Sequence, residues 1–196
     1  IFAKQPKAIE KGFSAGHFSF NSKGACIKCG GSGREKIWLG GNSFIYNSCK
    51  ECHGKRYNDE ALSVRYKERN IFDILEMSVS EAVTFFEANQ GIVSTLKVME
   101  RIGMGYIKLG QPTPTLSGGE AQRIKLAKEI GRRRKGNILY VLDEPTTGLS
   151  LYDTAKLISL LDELVAKGNS VIVIEHDPAV FSSCDWIIEL GPGGGV

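Results

Sequence analysis

Apolar and polar positions change rhythm several times along the chain. Residues 34–39 and 43–48 read as two strands, with Gly40-Gly41-Asn42 between them as a tight turn. From 57 to 110 the reading turns helical: Ile92, Leu96, Met99 and Ile102 recur at helical spacing. Asn70 can cap a short helix over 71–76, and Ser78 with Glu81 forms a capping box for a helix over 79–88. Gly103, Gly105 and Gly110 break the pattern before Gln111-Pro112-Thr113-Pro114, a stiff extended stretch. Ser117 then opens a helix running to about residue 133. The remainder alternates: a strand over 138–142, a helix over 151–167 ending at Gly168, a strand over 171–174, a short helix opened by Asp177-Pro178, and a last strand over 186–190. Apolar strand runs joined by helices imply a parallel sheet covered on both faces. Residues 1–25 read as loops with one short strand, and Phe13, Phe18 and Phe20 as packing anchors.

Composition narrows the classes. The 196 residues leave room for one large domain or two small ones, with a net charge of only +3. That charge neither demands nor excludes nucleic acid, so any basic surface must be local. No apolar run approaches the length of a membrane span, and the start lacks a signal peptide's apolar segment. A cytoplasmic protein is expected. The chain also lacks an initiator methionine, which suggests a fragment.

Four of the five cysteines fall in two pairs, Cys26/Cys29 and Cys49/Cys52, separated by 19 residues. Without an export signal this favours metal over disulfides. The hairpin over 34–48 would bring the pairs together at its base, and Gly30, Gly31, Gly33 and Gly54 permit turns that aim backbone N–H groups at sulfur. Four thiolates fill a tetrahedral zinc site and leave no open position, so the zinc would be structural. The competing reading is a reduced, buried thiol cluster. His53 could replace a ligand, and Cys184 reads as a buried or half-buried thiol. Arg34, Lys36, Lys55 and Arg56 interleave with Trp38, Phe44 and Tyr46, which suits a phosphate backbone and stacked bases. The same residues equally suit aromatics packed on a neighbour with solvated cations. Arg132-Arg133-Arg134-Lys135 reads as a solvated helix end rather than a DNA contact.

Three further stretches carry chemistry. Ser117, Gly118 and Gly119 at a helix start offer free N–H groups and a positive helix end, a seat for phosphate. An apolar strand runs into Asp143-Glu144-Pro145, and another ends at Glu175-His176-Asp177. In this order and spacing they resemble the signature motif, Walker B motif and switch histidine of ATP-binding cassette (ABC) proteins. Leu116-Ser117-Gly118-Gly119-Glu120-Ala121-Gln122-Arg123 with Asp143-Glu144-Pro145-Thr146-Thr147-Gly148-Leu149 is similar to the UvrA family of excinuclease proteins. The resemblance runs from Gly16-His17-Phe18 through the cysteine module to these motifs.

It implies an α/β fold: a partial ABC-ATPase core with a mainly parallel sheet, plus a helical signature domain carrying a zinc-binding β-hairpin module. Domains are expected at 1–25 (entry segment), 26–57 (zinc module), 58–135 (signature domain) and 136–196 (part of the ATP-binding core). By the same resemblance, Asp143 holds magnesium through water, Glu144 polarises the attacking water and His176 senses the γ-phosphate. Ser117, Gly118 and Gly119, with Glu120 beside them, clasp the γ-phosphate of an ATP held by a second cassette. The family's partners are DNA, recognised at damage in nucleotide excision repair, a UvrB-like protein, and a second copy of the protein in a dimer. Its zinc module borders the DNA-binding surface.

One motif is missing. No Gly-x-x-x-x-Gly-Lys-Ser/Thr occurs, and the only Gly-Lys is Gly54-Lys55, followed by Arg56. The chain by itself is therefore expected not to hydrolyse ATP. Ser150 stands where the family usually has histidine, and His17 where arginine is common, which fits a paralogue serving resistance to DNA-binding drugs. Two other readings stand beside this one. The cysteine run also resembles the zinc repeats of DnaJ-type chaperones, a non-enzymatic module for DNA or unfolded protein. The cassette motifs also occur in transporter ATPases.

Overall fold

The computed structural model describes residues 1–41, 43–130 and 137–191. Asn42 of the turn, the basic run 132–135 and the glycine-rich end at 193–195 lie outside the described residues. The chain packs as two units, Ile1–Glu76 and Met77–Val196.

The first unit opens with a 3-10 turn at Phe2–Lys4, helix α1 (Pro6–Glu10) and a second 3-10 turn at Ala15–Phe18. The expected short strand is reduced to an isolated bridge between Ala25 and Tyr57. Aromatic stacking organises this region instead. Phe18 stacks on Phe2 and meets Phe13 edge-on, and Phe20 meets Tyr57 edge-on. The hairpin follows as predicted, β1 (Arg34–Gly40) antiparallel to β2 (Ser43–Ser48), with a register shift between Trp38 and Gly40. Helices α2 (Asp59–Leu62) and α3 (Ile71–Glu76) complete the unit. Asn58 caps α2 at 2.8 Å, and Asn70 exchanges hydrogen bonds with Asp73 at the start of α3.

The second unit begins with α4 (Val79–Phe85), opened by the Ser78/Glu81 capping box, and α5 (Gln90–Met99). One wide turn, Glu100–Met104, breaks at Ile102 and Gly103. A 3-10 turn at Thr113–Thr115 leads to α6 (Gly118–Ile130). Next come β3 (Leu139–Asp143), α7 (Leu151–Ala166), β4 (Ser170–Ile174) and α8 (Pro178–Phe181). Strands β3 and β4 pair in parallel from Leu139↔Ser170 to Asp143↔Ile174. One core joins these pieces. Ile102, Met104 and Ile107 pack with Leu126 and Ala127 of α6, Leu142 of β3, and Leu157, Leu160, Leu161 and Leu164 of α7.

Three expectations need correction. The sheet is not covered on both faces. Tyr140, Leu142, Val171 and Val173 face the core, whereas Leu139, Val141, Ile172 and Ile174 are each more than half exposed. Residues 186–190 form no strand, and Trp186, Ile188 and Leu190 are more than 80% exposed. A strand exists only by pairing, and among the described residues neither β3 nor β4 has a second neighbour. Cys184 is also exposed, its thiol donating to the Val180 carbonyl at 3.2 Å.

Candidate metal centre and strand-end site

The four paired cysteines converge. Their sulfurs all lie within 4.8 Å of one another, with Cys26–Cys49 at 4.0 Å and Cys29–Cys52 at 3.7 Å. Sulfurs at the corners of a tetrahedron with Zn–S bonds of about 2.3 Å stand about 3.8 Å apart, close to the two separations of 4.0 and 3.7 Å, so the donor set and its spacing fit zinc. The turns deliver what the glycines promise: the Gly33 N–H points at Cys29 Sγ from 3.3 Å. Gly31 is held at φ +81°, and a Cβ there would lie 1.8 Å from the Phe20 carbonyl oxygen. Only glycine lets the chain pass.

The thiols are unequal. Burial raises the Cys29 thiol, but the Gly33 N–H and the neighbouring sulfurs outweigh it and bring it down to about 7. At Cys49 the Cys52 N–H favours the thiolate; burial and the Glu35 carboxyl oppose it and push the thiol up to about 12. A bound cation is the species that would let all four ionise together. His53 has φ +49° and an exposed side chain outside the four-sulfur cluster.

Cross-strand register sorts the hairpin's residues by face. Arg34↔Ser48, Lys36↔Tyr46 and Trp38↔Phe44 share one face; Glu35↔Asn47 and Ile37↔Ile45 share the other. The Lys36 ammonium lies over the Phe44 ring at 3.6 Å and the Trp38 ring at 4.6 Å. Arg34 and Lys55 are exposed. Arg56 differs from them. It is half-buried, lies 3.5 Å from the Phe20 ring centre and donates to the Gly31 carbonyl at 2.9 Å, so it bolts the module together.

In the second unit Ser117 caps α6 as predicted. Glu120 N–H donates to Ser117 Oγ at 3.2 Å, and Ser117 N–H donates to Glu120 Oε2 at 2.8 Å. The Tyr106 hydroxyl donates to Glu120 Oε1 at 2.5 Å. These bonds, the tyrosine's first and the Ser117 N–H next, hold the Glu120 carboxyl below its usual range. Ser117 and Gly118 are exposed, and a Cβ on Gly118 would meet nothing within 4 Å. Gly119 is buried instead, where a Cβ would stand 3.0 Å from the Thr147 carbonyl oxygen.

Asp143 ends β3 and pairs with Ile174, the end of β4. The Glu144 N–H continues the ladder to the Ile174 carbonyl at 2.8 Å. His176 Nε2 lies 4.0 Å from Glu144 Oε1, with both side chains largely exposed. Asp143, Glu144 and His176 therefore gather at the carboxyl ends of neighbouring parallel strands, the usual place for ligands on such sheets.

Two residues here escaped the sequence reading as site residues. Arg123 is 1% exposed and donates from Nη1 to the Pro145 and Thr147 carbonyls at 2.8 and 3.0 Å, tying α6 to the loop after Glu144. Glu175 accepts hydrogen bonds from both strand-end loops. Neither had a local signal, since the partners that tie them across the unit lie 22 to 29 residues away. Elsewhere in this unit a cleft of about 630 Å³ is lined by Ser80, Glu100, Arg101, Tyr106, Asp153 and Lys156 among others. Its charges are answered within the unit: Glu100 by Ser80, Arg101 by Glu163, Asp153 by Lys156.

These features define a mixed α/β chain with a four-cysteine cluster of metal-site geometry and, in its second unit, two carboxylates and a histidine at parallel strand ends. No protein-family model matches it. Individual relatives do, over its full length. It is 53% identical over 196 residues to "UvrABC system protein A" of Aquifex aeolicus and equally to that of Thermus thermophilus, spanning 21% of each. It is 51% identical over 196 residues to the protein of the same name from Methanothermobacter thermautotrophicus. The crystal structure of UvrA2 from Deinococcus radiodurans superposes on 99% of the chain with TM-score 0.88 and 47% identity, the match taking up 24% of that chain. The chain belongs to the UvrA family and spans about a fifth of the length of its curated relatives. No helix among the described residues is long and apolar enough to cross a membrane.

Proposed function

We propose that this chain is part of a UvrA-like ABC ATPase that binds DNA and recognises damage in nucleotide excision repair. The observation that carries the reading is the meeting of Glu144 and His176 at 4.0 Å, one step beyond paired parallel strands. In it, Asp143 would hold magnesium through water, Glu144 orients the attacking water and His176 faces the γ-phosphate. Magnesium supplies charge neutralisation for phosphoryl transfer when bound. The exposed Ser117 and Gly118 at the start of α6 clasp the γ-phosphate of an ATP anchored by a second cassette. Gly119 serves close packing, and Glu120 fixes the cap that presents them. With no phosphate-cradling loop of its own, the isolated chain binds ATP weakly and does not turn it over.

Cys26, Cys29, Cys49 and Cys52 hold a structural zinc. The hairpin face bearing Arg34, Lys36, Trp38, Phe44 and Tyr46, with Lys55 near its base, meets DNA. The intact protein acts in the cytoplasm with a UvrB-like partner and as a dimer. The decisive experiment places this stretch in an intact family protein and changes Glu144→Gln. ATP hydrolysis should fall by about 10²–10³-fold with ATP binding retained. Unchanged turnover would remove the reading.

A further inference from the structure

The exposure of Glu144 and His176 raises a physical question. Their side chains are 56% and 86% exposed, so packing does not hold them in place. Among the described residues, the Glu144 carboxylate accepts a long hydrogen bond from the Thr147 hydroxyl at 3.4 Å besides facing the histidine. A pair placed this loosely is only as well positioned as the backbone beneath it. That backbone is in turn unusual, since Glu144 has φ +45°, a conformation costing about 1–3 kcal/mol that persists only where its surroundings impose it.

Arg123 holds the following loop from the α6 side, and a second restraint is found one residue beyond β4. The ladder between β3 and β4 ends with the Glu144 N–H on the Ile174 carbonyl. Pro145 cannot donate, so Thr146 carries the next free N–H of the first loop. It donates to Glu175 Oε1 at 2.9 Å, and the Thr146 hydroxyl donates to the same oxygen. The other carboxylate oxygen, Oε2, accepts the N–H groups of His176 at 2.8 Å and Asp177 at 3.3 Å. One oxygen serves the loop after β3 and the other the loop after β4. Where the strands diverge and backbone pairing stops, this side chain replaces the ladder.

We propose that Glu175 is a positioning residue for the ATPase reaction, fixing the separation of Glu144 and His176 by clamping both strand-end loops through one carboxylate. The inference rests on the ATPase reading above. Its chemistry explains the residue type. Four donors converge on two oxygens, so an acceptor-only group is required. Glutamine, in either orientation, would turn its NH₂ toward at least one of the three backbone N–H groups. Aspartate is one methylene too short to reach both loops. Burial alone would raise the Glu175 carboxyl, but the Thr146 hydroxyl and the backbone N–H groups outweigh it and keep it ionised.

The test uses an intact family protein carrying this stretch, with variants Glu175→Gln, Thr146→Val, their double, and Glu144→Gln as reference. The readouts are kcat, KM for ATP and the thermal midpoint. Glu175→Gln should lower kcat by about 10–100-fold, the scale of a misplacement near 1 Å, with KM within about threefold and a midpoint lowered by only a few degrees. Thr146→Val, which removes one bond to the same oxygen, should lower kcat by a smaller factor, and the double variant should be no worse than Glu175→Gln. Full activity in Glu175→Gln overturns the inference, as does a kcat loss matched by loss of ATP binding and of thermal stability. If Glu175→Gln does not fold, Thr146→Val decides: a lower kcat at constant KM supports the clamp, and an unchanged kcat removes it. The reference separates the layers. Turnover surviving Glu144→Gln defeats the ATPase reading itself; an inactive Glu144→Gln beside an active Glu175→Gln defeats only the clamp.

Discussion

The cysteine module and the strand-end site solve the same problem, holding reactive groups in place, by opposite means. The module is closed. Its cysteines are buried or half-buried, its turns are set by glycines, and the stretch that builds it, from Cys26 to Tyr57, is short and continuous. The strand-end site is open. Its side chains point into solvent, and contacts made across the second unit hold them. The difference teaches that a cluster of metal-site geometry can be specified locally, whereas the proposed catalytic pair at the strand ends depends on a sheet, a helix and two loops agreeing.

The sharpest way to break this comparison is to disable the proposed metal site. Structural zinc contributes on the order of 10 kcal/mol to small modules of this kind. Cys49→Ser should abolish the zinc content and unfold the hairpin base, read by metal analysis and amide exchange. The second unit's exchange should be unaffected. A chain that keeps its hairpin without metal would show that the thiols are merely packed.

A smaller effect is expected from Gly31→Ala, where both φ +81° and the Phe20 carbonyl oppose a methyl group. Denaturant unfolding of the first unit should show a loss of about 3 kcal/mol. In the second unit Arg123→Met strips the Pro145 and Thr147 carbonyls of a buried donor. It should cost about 2 kcal/mol and lower ATP turnover in the intact protein, measured together on one preparation.

Weaker still, Lys36→Ala should reduce DNA affinity a few-fold and flatten the salt dependence by about one ion. Acid provides the mildest probe. Glu120 and Glu175 are held below their ordinary range in the folded state. Such groups contribute stability that is full above about pH 4.5 and lost as pH falls through the depressed values. The thermal midpoint should drop below that pH, and less steeply in Glu120→Gln.

How much could be read beforehand follows from how far each interaction reaches. The Ser78/Glu81 capping box, the Ser117 cap and the cysteine spacing are local, and the structure has them where they were expected, with Glu120 returning the bond to Ser117 as an addition. The Glu144–His176 meeting was available only through a family resemblance. Arg123 and Glu175 were invisible because the groups they tie together are remote in sequence. Residues 186–190 misled for a related reason: an apolar run reports a wish to be covered, not the presence of a neighbouring strand. The run Gly16-His17-Phe18 gave no hint of the 3-10 turn it forms, because ring stacking with Phe2 and Phe13 decides its path.

The hairpin has a mechanical consequence. With seven residues in β1, it extends roughly 23 Å from the cysteine cluster. A tilt of only about ten degrees at its root would swing its tip by roughly 4 Å, close to the axial step of about 3.4 Å between successive charges on one DNA strand. A hairpin rooted in a knot of sulfur has the geometry of a lever: a small rotation at the anchor is multiplied at the far end.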